Sequence, residues 1–403
     1  MTTKETPASS NDDETTQTQA HTTTDVTTDT PDATADSQEA APATEALEWH
    51  APVMVRIDEH TTIPHLLKER VQRSATRPLI LRKIGIGDTW RSITAREFYD
   101  EVHALAAGLI ARGLEPGDRV AIMSRTRYEW TLLDFACWAA GLVPVPIYET
   151  SSIDQVAHVL VDADVHLIIT ETVSMAEIVR AAAEREGRDN TQVLSLDSEA
   201  IETLIAEGSS TPRERVLARS EALTKDDIAT IVYTSGTTGT PKGTVLSHEN
   251  FTNLCLNAHS WMPEIAAGKD SRLLLFLPLA HVFARFLQVF QISGNGVLGH
   301  ASNIKNLLGD LASFRPSYLL VVPRVLEKIY NSADTKASGP KRKIFRWAAK
   351  VAIAYSQALD TEEGPSASLK AQHALADKLV YQQIIRLVGG NADYIVSGGA
   401  PLA

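Results

Sequence analysis

The 403-residue chain is expected to fold as an α/β protein, with mostly parallel sheets sandwiched by helices. From Trp49 onward, short β-branched apolar runs alternate with longer segments of helical periodicity, the pattern of repeated strand–helix units. A loop rich in Gly, Thr and Ser follows the apolar run at 228–232, and ligands of open α/β sheets sit at the carboxyl ends of strands. Apolar residues make up 44% of the chain, ample for a sizeable core.

The acidic character is concentrated at one end. Of the net −12, the first 48 residues carry −10, from eleven acidic side chains and Lys4, so the remainder is nearly neutral at −2. That balance gives no footprint for nucleic acid. Residues 1–48 hold scarcely a large apolar side chain and are expected to be a disordered, Thr/Ala-rich acidic tail. They have neither the basic start nor the apolar core of a signal peptide. No segment reaches the ~18 uninterrupted apolar residues of a membrane span. Cys137 and Cys255 both lie in apolar helical runs, which fits buried free thiols in a cytoplasmic protein and rules out a cysteine-built metal site.

In order, helical spacing appears at 63–73 and a strand at 79–83. Thr94 caps a helix to Arg112 that puts Phe98, Val102, Leu105 and Leu109 on one face. Residues 113–118 read as a turn, 119–123 as a strand, 129–140 as a helix and 142–147 as extended. The alternation continues through 153–162, 165–170, 173–186 and 193–196, after which 207–227 reads as a charged linker. The second half repeats the rhythm: helices at 251–261, 280–291 and 304–314, and strands at 272–276, 296–299 and 318–322. Helical segments fill the region from 324 to 387, and a strand at 394–396 runs into a Gly-Gly turn.

The most informative stretch is Tyr233-Thr-Ser-Gly-Thr-Thr-Gly-Thr-Pro-Lys-Gly243. Thr234, Ser235, Thr237, Thr238 and Thr240 supply hydroxyls, Gly236, Gly239 and Gly243 let backbone N–H groups approach a ligand, and Lys242 adds a cation. That donor set suits a polyphosphate. The spacing is not that of a Walker A loop, because Gly236 and Gly239 are three apart and Pro241 precedes the lysine. The eleven residues resemble, position for position, the signature loop of the adenylate-forming (AMP-binding) superfamily, which includes acyl-CoA synthetases, luciferases and peptide-synthetase adenylation domains.

Two further motifs follow in the order that resemblance implies. Leu277-Pro-Leu-Ala-His-Val-Phe-Ala-Arg285 is similar to the motif of the long-chain fatty acyl-CoA synthetases, in which the position of His281 lies beside the bound carboxylate and acyl group. By spacing, His281 and Arg285 share a helix face, and a helical arginine usually points to solvent. Gly398, Gly399 and Ala400 resemble the turn that flanks adenine and the acyl pocket. The stretch 141–148 fits an early family motif, assigned to packing, while Gly117-Asp118 is assigned to a turn. The basic cluster 341–346, with Phe345 and Trp347, reads as a solvated helix face, with contact to a membrane surface or an acidic partner as the alternative.

The resemblance implies a long-chain fatty acid:CoA ligase that uses ATP, Mg²⁺ and coenzyme A, with residues 49–403 as part of the large N-terminal domain. Alternatives are a ligase for another carboxylic acid, or a non-catalytic nucleotide-binding subunit. The family's Mg²⁺-binding glutamate, ribose-binding aspartate and small C-terminal domain with its catalytic lysine lie beyond the last motif present here. The expectation is therefore of an N-terminal portion, with an incomplete sheet, that does not complete adenylation alone.

Overall fold

The computed structural model describes residues 52–398, apart from 86, 88, 235–240, 267, 269, 270 and 302. The acidic tail, most of the signature loop, Gly399 and Ala400 therefore lie outside the described residues. Between them the chain follows the alternation read from its periodicity. The first half contains α1 (Ile63–Ser74), β1 (Pro78–Lys83), β2 (Trp90–Thr94), α2 (Ala95–Ala111), β3 (Arg119–Met123), α3 (Tyr128–Ala139), β4 (Val143–Ile147) and α4 (Ile153–Asp162). It continues with β5 (Val165–Thr170), α5 (Val173–Arg185), β6 (Gln192–Ser195), α6 (Ala200–Glu207) and α7 (Arg213–Ala222). The hairpin β7 (Ile228–Thr234) and β8 (Lys242–Ser247) leads into α8 (His248–Trp261) and the short α9 (Pro263–Ala266). There follow β9 (Arg272–Leu275), α10 (Val282–Ser293), β10 (Val297–His300), α11 (Leu307–Phe314) and β11 (Tyr318–Val321). The last part is helical: α12 (Pro323–Lys336), α13 (Gly339–Leu359), α14 (Ala367–Ala376) and α15 (Gln382–Leu387), before β12 (Tyr394–Ser397).

Among the described strands, β4-β3-β5-β6 form a wholly parallel sheet, and β2-β1-β10-β9 form a second. Every ladder is parallel except β1–β2 and β7–β8. β11 and β12 pair in parallel, and Ser317 ties the start of β11 to β9 through its N–H to the Arg272 carbonyl. The fully buried β4 (Val-Pro-Val-Pro-Ile) shows the continuous apolar pattern that a parallel sheet covered on both faces demands.

Helix starts follow the sequence. Thr94 and Glu97 form a reciprocal capping box on α2, as do Ser152 and Gln155 on α4. The principal core packs α1, α2, α3, α8 and α10 around Trp130 and Trp138, with Cys137 and Cys255 both buried and free, as their context suggested. Gly108 of α2 is a contact point rather than a flexible one, because a Cβ there would lie 2.0 Å from the Leu204 carbonyl oxygen of α6. Gly117 does make a turn: its φ is +88°, and its N–H donates to the Gly141 carbonyl.

Two expectations are corrected. The supposed linker at 207–227 contains helix α7, whose Val216 is buried and whose Arg219 binds the Leu114 carbonyl and Glu115. β2 and β8 were not read from the sequence; each is an antiparallel partner of a recognised strand. The basic face of α13 is exposed, as read, and on it Arg342 and Arg346 both clamp Asp334 of α12 and hold its carboxyl well below the usual carboxylate range. Among the described residues, no helix is long and apolar enough to cross a membrane.

Candidate active site

The two ends of the signature sequence lie on the paired strands β7 and β8. Thr234 pairs with Lys242 and Tyr233 with Gly243, so the six residues from Ser235 to Thr240 are spanned by adjacent strand ends. Ser247 then starts α8 with a capping box in which Asn250 Oδ1 accepts the Ser247 N–H. Gly243 is required by packing: a Cβ there would come within 2.8 Å of Ile231 Cγ2 and 3.1 Å of the Tyr233 ring.

Helix α4 braces both ends of this loop. The Tyr233 hydroxyl donates to Asp162 at 2.6 Å, and His158 Nε2 donates to the Pro241 carbonyl at 2.7 Å. The His158 and Tyr233 rings also meet edge-on, 5.7 Å between centroids. Burial and the Asp162 carboxylate push the Tyr233 phenol up from its ordinary value, so its proton stays in the bond.

The Leu277–Arg285 motif lies beside the hairpin. Thr126 holds it through two bonds, donating to the Leu277 carbonyl and accepting from the Leu279 N–H. His281 is not inside the helix, as its spacing suggested, but is the N-cap of α10. Its Nδ1 accepts the Phe283 N–H at 3.2 Å. In the neutral ring the proton therefore resides on Nε2, which becomes a donor for an oxygen in the adjoining cleft.

Arg285 departs most from expectation. It is fully buried and forms a two-point ion pair with Asp134 of α3. It also donates to Thr230 of β7, while Gln288 donates to the same Asp134 carboxylate. Burial pushes the Asp134 carboxyl up, and the Arg285 fork and Gln288 amide oppose that shift. The network ties α10, which His281 caps, to β7, which carries the signature loop.

A cleft of about 370 Å³ brings the two motifs together, lined by Tyr233, Thr234, Pro241, His281, Tyr148 and Gln155 among others. Pro146 and Ile147 line it too, so the stretch assigned to packing also supplies part of a site wall. Gly398 N–H donates to the Val321 carbonyl, and a Cβ at Gly398 would lie 3.9 Å from the Phe283 ring. The third motif thus starts next to the first turn of α10. Sequence reasoning missed the braces His158 and Asp162 and the network residues Asp134, Thr230 and Gln288. Nothing local marked them, because each acts through a partner remote in the chain. Among the described residues, no group of three His, Cys, Asp or Glu side chains could hold a metal ion.

The arrangement is that of an α/β fold in which the two ends of the signature sequence and the helix start at His281 share one cleft. The family described as "AMP-binding enzyme" matches residues 67–403, and the chain belongs to it. It is 40% identical over 361 residues to the long-chain-fatty-acid–CoA ligase FadD15 of Mycobacterium tuberculosis, covering 88% of this chain and 59% of that protein. It is 32% identical to the peroxisomal long chain acyl-CoA synthetase 7 of Arabidopsis thaliana, covering 80% and 46%. The chain thus spans about three-fifths or less of these relatives' length. In fold it is similar to the N-terminal domain of FACL13 from Mycobacterium tuberculosis in an inhibitor-bound crystal structure (TM-score 0.59, 22% identity, 85% and 71% covered). It is also similar to the A domain of a carboxylic acid reductase from Segniliparus rugosus in complex with AMP and a co-purified carboxylic acid (TM-score 0.60, 19% identity, 85% and 57% covered).

Proposed function

We propose that the protein is a long-chain fatty acid:CoA ligase, using ATP to form an acyl-adenylate and then coenzyme A to form the thioester. The observation that carries this reading is the cleft lined jointly by Thr234 and Pro241, which flank the signature loop, and by His281. In the first step a carboxylate oxygen attacks the α-phosphorus and pyrophosphate leaves. In the second, the coenzyme A thiol attacks the acyl carbonyl, loses its proton and releases AMP. Catalysis of phosphoryl transfer is mostly positioning and charge neutralisation. Lys242, Gly243 and the loop residues Thr234–Thr240 take the phosphates, and His281 Nε2–H donates to the acyl oxygen. Gly398, Gly399 and Ala400 form the wall beside adenine and the acyl group.

The fatty-acid assignment draws on relatives named as long-chain-fatty-acid–CoA ligases. Calorimetry with ATP and with a palmitoyl-sulfamoyl adenosine tests it. Lys242→Ala is expected to weaken ATP about 10–100-fold, the worth of one charge-assisted hydrogen bond. His281→Ala is expected to weaken the palmitoyl compound while sparing ATP. Unchanged ATP affinity in Lys242→Ala overturns the phosphate role, and tighter binding of a benzoyl or aminoacyl analogue overturns the fatty-acid assignment. Peripheral membrane contact is proposed on α12–α15, where Leu379 and Ile344 stand exposed at an apolar groove rimmed by Lys336 and Lys341.

A further inference from the structure

A second cavity, of about 280 Å³, shares no lining residue with the cleft at His281. Arg82, Lys83, Arg125, Arg127, Glu171 and His300 line it. Lys83 closes β1, His300 closes β10, Arg125 follows β3 by two residues and Glu171 directly follows β5. Strand ends from both four-stranded sheets therefore converge on it, the position ligands favour in α/β folds. The twelve-residue α3 starts there as well, and its N-cap Arg127 makes no side-chain capping bond.

The charges are layered. Glu171 and Glu129 are 4% and 11% exposed, whereas Arg125 and Arg82 above them are 48% and 40% exposed. Glu171 accepts from the Arg125 side chain and, at 2.8 Å, from its backbone N–H. Glu129 accepts from Arg82 and, at 2.6 Å, from Arg127 Nε. Burial pushes both carboxyls up, but the arginine bonds outweigh it and leave both below their ordinary values. With Lys83 on Asp310, four cations face three carboxylates. The buried acids fix the guanidinium forks and leave further N–H edges facing outward.

His300 adds a polar atom in need of a partner. Gln288 uses its amide N–H on Asp134, so its Oε1 accepts the single Thr131 hydroxyl proton at 2.9 Å. His300 Nε2, 2.7 Å from that hydroxyl, must then donate to it. Nδ1 is left as a buried lone pair with no hydrogen-bond partner. Burial keeps the ring neutral, with its pKa pushed down to about 4.

We propose that this cavity binds a compact phosphate, either the free ion or a small phosphomonoester, with the arginine forks on its oxygens and His300, whose Nδ1 has no partner, in its wall. The volume lies just below the roughly 300–1,000 Å³ typical of ligand sites, and suits an anion of few atoms.

The test is titration calorimetry of the whole chain with inorganic phosphate and with glycerol phosphate at matched ionic strength, on the wild type, Arg82→Gln, Arg125→Gln and Lys242→Ala. Both arginine variants leave Arg127 beside the affected carboxylate, so the fold is retained; a thermal unfolding midpoint checks each. Saturable binding that weakens about tenfold in each arginine variant and is unchanged in Lys242→Ala is expected. Binding lost in Lys242→Ala but kept in the arginine variants means that phosphate occupies the hairpin, and overturns the proposal. Absence of saturable binding at millimolar phosphate also overturns it. Tighter binding of glycerol phosphate assigns the site to an ester, and tighter binding of inorganic phosphate assigns it to the free ion. Because Lys242 is the control, failure here is separable from failure of the ligase reading.

Discussion

Arg285 and Asp134, 151 positions apart in sequence, form a two-point ion pair of 2.7 and 3.0 Å in which both side chains are essentially free of solvent. The pair joins the helix capped by His281 to α3. Removing one member strands a buried charge, which costs about 3–5 kcal/mol. Asp134→Leu is therefore expected to lower stability by that amount in chemical denaturation, and Asp134→Leu/Arg285→Met to recover much of it. Purely additive losses would contradict the pairing.

Gly243→Ala is expected to be damaging without any change of charge. Its Cβ would fall 2.8 Å from Ile231 Cγ2, so Ile231 or the Tyr233 ring must move. Overpacking of this kind costs about 1–3 kcal/mol. ATP affinity measured by calorimetry should fall with it, because Tyr233 anchors the loop's first strand. A variant of wild-type stability and affinity would show that the hairpin tolerates the shift.

Tyr233→Phe and His158→Ala each remove one of the two bonds from α4 to the hairpin. Each bond contributes about 0.5–1.5 kcal/mol to stability. The expected signature is weaker ATP binding in both single variants and a larger loss in the double variant. Equal loss in single and double variants would mean that the two bonds act as one unit, each useless without the other.

Acid should destabilise the fold through two histidines. Burial pushes His248 and His300 each down to about 4, below the ~6.5 of an unfolded chain. Between these values the unfolded state binds more protons, so stability falls as pH falls from about 6.5 to about 4 and is unaffected by these groups above that window. The loss approaches about 3 kcal/mol per histidine at the acid end. Denaturant midpoints between pH 4 and pH 8 would reveal it, and His248→Asn, which keeps an acceptor for the Ile63 N–H, should flatten the slope. A slope unchanged by that substitution would exclude His248.

Sedimentation with anionic vesicles tests the proposed membrane face. Leu379→Asp should reduce co-sedimentation, because it puts a charge on a 44% exposed apolar side chain beside the groove. Equal sedimentation of wild type and variant would move the contact elsewhere or remove it.

The sequence alone revealed the alternating architecture and the order of the three motifs, because both are written locally, in periodicity and in side-chain type. It hid whatever depends on a remote partner. Arg285 looks solvent-bound on its own helix, and only Asp134, Thr230 and Gln288 explain its burial. α7 resembled a linker because Val216 is its one buried side chain. β8 was masked by glycine and lysine at its start, and becomes a strand through its register with β7.

Helix α4 has two duties: it braces the hairpin through His158 and Asp162, and through Gln155 and Val159 it forms part of the cleft wall. Thermodynamic linkage makes such a shared element reciprocal. A cleft ligand that shifts α4 alters the affinity of the phosphate loop by some factor, and nucleotide binding alters the affinity of that ligand by the same factor. On the proposed function, any synergy between the two substrates would run through this ten-residue helix, and is measurable as the change in one dissociation constant when the other ligand is saturating.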